Sequence, residues 1–62
     1  MTFKLTIECD NAAFEIDAAG EVARILDRVA RSLNRDEVKG VCIDVNGNKV
    51  GGWELEGGDD DE

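Results

Sequence analysis

DAAGEVARILDRVARSLNR, residues 17–35, is the one stretch of this chain with an unmistakable period, and its reading organises everything around it. At about 100° per residue, Val22, Ile25, Leu26, Val29, Ala30 and Leu33 fall on one broad stripe, the i, i+3, i+4, i+7 signature of an amphipathic helix. Arg24, Arg28, Arg31 and Arg35 form a second stripe almost opposite the first. One face is therefore expected to be buried and the other wet. Asp17 suits the N-cap, where its carboxylate accepts from the open N–H groups of the first turn and meets the positive end of the helix dipole. Glu21 with Arg24 and Asp27 with Arg31 add exposed i+3 and i+4 pairs.

Upstream, Phe3, Leu5, Ile7 and Cys9 alternate with Lys4, Thr6 and Glu8, the pattern of a half-buried strand. Asp10-Asn11 reads as a two-residue turn into a second short strand, residues 12–16, because that register pairs Ile7 with Phe14 and Leu5 with Ile16. Downstream of the helix, residues 36–40 read as a connection, and Val41, Ile43 and Val45 alternate with Cys42 and Asp44. Asn46-Gly47 is a strong hairpin signal that places Asp44 across from Lys49 and Ile43 across from Val50. Trp53 and Leu55 then lie an odd number of residues from Val50. Either Gly51-Gly52 holds a bulge that restores the parity, or the turn is three residues long and Val50 points outward; paired glycines favour the bulge.

The expected fold is α+β in the order ββαββ: a small, mostly antiparallel sheet of two hairpins with the helix packed on one face. Residues 1–56 make the domain. Residues 57–62, GGDDDE, lack any apolar side chain and read as a disordered acidic tail. The full chain of 62 residues is small enough that a dimer partner would help its core.

The opposite sheet face is expected to be open and to carry Lys4, Thr6, Glu8, Glu15, Cys42, Asp44, Lys49, Glu54 and Glu56, acids outnumbering bases by five to two. Net charge is −8, but residues 54–62 hold six acids and no base, which leaves nine acids against seven bases elsewhere.

The chain has no His and no Tyr, and Ser32 is its only serine, so neither a Ser-His-Asp nor a Cys-His arrangement exists within it. No catalytic residue, cofactor or metal site is expected. Asp44, Asn46 and Asn48 imitate three positions of a calcium-binding loop, but Lys49 stands where the sharp turn needs Gly and Leu55 where the loop needs a bidentate Glu. Trp53 is read as the largest core residue. Cys9 and Cys42 are read as reduced thiols, Cys42 being accessible on the open face. No long apolar run or basic leader is present, so no membrane association and a cytoplasmic location are expected.

DNAAFEIDAAGEVARIL, residues 10–26, with DVNGNKVGGWEL, residues 44–55, resembles a group of small hypothetical proteins encoded by bacteriophages and prophages. The resemblance implies a bacterial cytoplasm during infection or lysogeny. Small acidic phage proteins of this size include anti-CRISPR proteins, some of which are similar to DNA in surface charge.

The resulting expectation is a non-enzymatic protein-binding module, an inhibitor that presents Glu8, Glu15, Asp44, Glu54 and Glu56 to a basic host protein handling nucleic acid. A homodimeric structural module is the alternative. A third reading uses Arg24, Arg28, Arg31 and Arg35 as an interaction strip; direct nucleic-acid binding through it is opposed by the net charge.

Overall fold

The computed structural model describes residues 1–57, so the tail expected at residues 57–62 lies, but for Gly57, outside the described residues. The fold is α+β. Strand β1, Thr2–Ile7, is followed by a short 3-10 turn at Ala12–Phe14, helix α1 at Ala18–Asn34, strand β2 at Lys39–Ile43 and strand β3 at Lys49–Glu56. The three strands form an antiparallel sheet in the order β1-β3-β2, with the longest strand in the middle.

Helix α1 starts where expected. Asp17 Oδ1 accepts from the Gly20 N–H at 3.0 Å, which satisfies one of the open donors of the first turn. Its far end is a Schellman closure: the Glu37 N–H donates to the Ser32 carbonyl at 3.1 Å and the Asp36 N–H to Leu33 at 3.0 Å. That closure puts Asp36 at φ 65°, in left-handed space where glycine is at ease and a side chain is strained. Replacing Asp36 with Gly is therefore expected to stabilise the protein by about 0.5–1 kcal/mol, raising Tm by roughly 2–8 °C for a domain of this size; a thermal melt followed by circular dichroism checks it.

The buried line of α1 is Glu21, Ile25 and Val29, with Val22 and Leu33 at its margins packed against the core. Leu26, 44% exposed, lies outside it. The buried stripe is thus rotated toward Glu21. Phe14, Ile25, Val29, Cys42, Val50 and Trp53 make the core, with Leu5, Ile7, Ala13, Val22 and Leu33 packed around it.

The expected second strand does not form. Asn11 Oδ1 accepts from the Ala13 N–H at 3.1 Å, and this side-chain bond turns the backbone into the 3-10 segment. Phe14 is carried into the core from that turn, whereas Ile16 is 99% exposed instead of facing Leu5. The partner of β1 is the distant β3, with Leu5 opposite Trp53 and Ile7 opposite Gly51.

The hairpin between β2 and β3 departs from both expected alternatives: its loop is the longer one, yet Val50 points inward, and the bulge falls at Val50 and not at Gly51-Gly52. Its loop is three residues long: the Asp44 N–H donates to Asn48 at 2.9 Å and the Gly47 N–H to Asp44 at 3.0 Å, with Gly47 at φ 87°. A bulge follows, since Ile43 faces Lys49 while Cys42 faces Gly51, which leaves Val50 as the extra residue. Val50 and Trp53 consequently both point inward. The same shift corrects Cys42, which is 1% exposed and forms part of the core rather than the open face.

Candidate functional site

The five acids expected to form one array are separated by the fold. Glu54 and Glu56 lie on the uncovered face of the sheet, but Glu54 sits between Lys4 and Lys39 in the register, and Glu56 pairs with Lys4 at 3.3 Å. Opposite charges are interleaved there. Glu8 lies just beyond β1, its N–H donating to the Val50 carbonyl at 2.8 Å, and Glu15 closes the 3-10 turn away from the strands.

Asp44 is 3% exposed and is no surface residue at all. Its carboxylate accepts from Asn11 Nδ2 at 2.7 Å, from the Asn46 N–H at 2.9 Å and from the Asn48 N–H at 2.8 Å, with Asn48 Nδ2 at 3.4 Å. Burial raises the Asp44 pKa, but these donors outweigh it and hold the group below its ordinary value. Asp44 thus clasps the 3-10 turn to the hairpin loop, and the resemblance of Asp44, Asn46 and Asn48 to a calcium loop is the chemistry of that clasp. The three-residue loop places Asp44 on the same side as Cys42, the reverse of the expected parity.

The arginine strip also divides. Arg24 is structural: it forms a fork on Glu21, Nε to Oε1 at 3.0 Å and Nη2 to Oε2 at 2.8 Å, and Nη2 also donates to the Ile43 carbonyl at 3.1 Å. Glu21 Oε2 accepts from the Val45 N–H at 2.8 Å. The bond from Arg24, with that from Val45 beside it, holds the Glu21 carboxyl below its usual range against the opposing effect of burial. What the sequence presented as an exposed helix pair is a half-buried bridge from α1 to the end of β2, with Glu21 buried and Arg24 closing over it. The signal was available in the i, i+4, i+8 spacing of Glu21, Ile25 and Val29.

Arg28, Arg31 and Arg35 instead border a cleft of about 360 Å³ between the C-terminal half of α1 and β2. Beneath it lie the core side chains Ile25, Val29 and Cys42, already closed to water, and its open lining is mixed, with Ser32, Val41 and Ile43 beside the arginines. Arg35 reaches Glu37 at 3.4 Å, while Arg28 and Arg31 meet no carboxylate among the described residues. Two guanidiniums with no carboxylate partner among the described residues thus border this cleft, beside a strand that is an edge of the sheet. That juxtaposition was not legible in the sequence, because it depends on which strand occupies the edge.

Among the described residues, no helix is long and apolar enough to cross a membrane. Compared with known proteins, the chain matches no family model, no curated protein and no solved structure.

Proposed function

We propose that this chain is a small non-enzymatic protein-binding module that takes a segment of its partner into the cleft between α1 and β2. The observation that carries this reading is a groove beside an edge strand that is bordered by Arg28 and Arg31, which have no carboxylate partner among the described residues. Arginine is enriched in protein-binding hot spots, where the planar guanidinium supplies directed, charge-assisted hydrogen bonds. A nucleic-acid site draws most of its affinity from phosphates and calls for a basic domain, whereas this chain carries a net charge of −8. The acidic-face inhibitor has less behind it, since Glu54 and Glu56 stand among lysines and Asp44 is inside. With the phage setting that the resemblance implies, the partner is a host protein in the bacterial cytoplasm.

Selection of a random peptide library on the chain, followed by mapping of the selected peptides through backbone amide shifts, tests this. Binders are expected to shift Lys39–Ile43 and the facing turns of α1, and to lose about tenfold or more in affinity against the double variant Arg28→Glu/Arg31→Glu. Both arginines are exposed, so the fold should survive the change. A selection without binders, or with binders that shift only Thr6, Gly52 and Glu54 and ignore the double variant, overturns the reading.

A further inference from the structure

We infer that the occupant of the cleft is an extended, carboxylate-bearing segment of another protein that adds a fourth strand to the free edge of β2; this rests on the groove reading above. The Leu55 N–H donates to the Val38 carbonyl at 2.7 Å, and hydrogen bonding alternates along an antiparallel ladder. Lys39, Val41 and Ile43 therefore turn their backbone groups away from β3, toward the edge. The Ile43 carbonyl, taken by Arg24 at 3.1 Å, confirms that direction. Beyond it the Val45 N–H is taken by Glu21, so the bridge from α1 closes one end of the edge and leaves the stretch from Lys39 to the Ile43 N–H open among the described residues. An open run of this kind is a template for an incoming strand.

Side-chain alternation then defines the guest. Residues opposite Gly40 and Cys42 face the α1 side, where Arg28 and Arg31 stand, and call for carboxylates. The residue between them lies beside Val41, which is 55% exposed, and calls for an apolar side chain. A second copy of this chain is a poor guest. Pairing β2 with its twin would bring both helices onto one face and set the two arginine rows against each other, with Lys39 of each copy added to the repulsion.

The test uses an acetylated, amidated peptide of about five residues alternating glutamate and valine, titrated into the whole labelled chain. It should shift the amides of Val41 and Ile43, and replacing its glutamates with glutamine should weaken binding about fivefold or more. N-methylation of alternate peptide amides should abolish binding in one parity and leave it within about twofold in the other, because only one set of N–H groups faces β2. Val41→Pro should abolish binding as well while keeping the fold, since that N–H makes no bond to β3. If groove binders respond to Arg28→Glu but the glutamate peptide does not bind, or N-methylation is blind to parity, the added strand is refuted and the groove reading survives. Tighter binding of a short thymidine oligonucleotide overturns both. A concentration-dependent dimer abolished by Val41→Pro makes the occupant a second copy and overturns the inference.

Discussion

Substituting alanine for Gly51 is expected to leave the protein largely unfolded at 25 °C, with the strand signal lost from the circular dichroism spectrum and amide resonances collapsed into the random-coil range. A Cβ on Gly51 would stand 1.8 Å from the Thr6 carbonyl oxygen, 2.7 Å from its carbon and 3.1 Å from the Ile7 Cα. All three atoms are backbone of β1, so no side-chain rotation relieves the overlap and the strands must part. Parting them undoes the pairing of Thr2–Ile7 with β3 and withdraws Leu5 and Ile7 from the core. A domain of this length has only about 3–9 kcal/mol of net stability, and an edge strand with two apolar side chains packed against the core accounts for a large share of it. Gly52→Ala is the control, because its nearest contact is the Gly40 carbonyl oxygen at 3.2 Å and a few tenths of an ångström of adjustment suffices. Should Gly51→Ala melt within a few degrees of the parent, β1 does not lie on β3 in this register.

Asp44→Ala is the second large effect, with Tm expected to fall by roughly 10–20 °C. The substitution strips acceptors from Asn11, Asn46 and Asn48 in a region where water does not readily replace them, and it frees the 3-10 turn that delivers Phe14 to the core. The effect has a pH signature. Asp44 and Glu21 both titrate below their ordinary values in the folded protein, so on acidification the unfolded chain takes up protons before the native state does. Their contribution is complete above the ordinary carboxylate pKa, near pH 4–5, and is lost as pH falls through the lower folded values. Chemical denaturation repeated between pH 7 and pH 2 should show a plateau and then a decline for the parent. Asp44→Asn, unfavourable at neutral pH, should show a shallower decline. An acid limb of equal slope in both would remove Asp44 from its assigned role.

The helix and its Asp17 cap were legible because both are local: a period and a capping residue act within a few positions of each other. The α+β class followed from that helix together with the alternating residues of β1 and β2 and the Asn46-Gly47 turn. The extra strand at residues 12–16 was one local reading that another local preference overruled. Alternation of Phe14 and Ile16 fitted a hairpin on the outer edge of β1, but the Asn11 side chain bonds the Ala13 N–H and turns the backbone into a 3-10 segment instead. The hairpin was visible in Asn46-Gly47 although its length was not, and that one residue decides whether Asp44 and Cys42 face water or core. The site was legible only as a list of arginines. Their division into Arg24, committed to Glu21, and Arg28 with Arg31, left to the cleft, arises from the third dimension.

Trp53 sits on the middle strand, 6% exposed, with the Phe3 ring centroid 6.1 Å away, in a chain that has no tyrosine and no second tryptophan. Ultraviolet emission from this molecule therefore originates at a single indole in its interior, flanked by a strand on either side. Opening of the sheet moves that emission to longer wavelength, so the protein carries its own optical gauge of integrity and needs no attached dye.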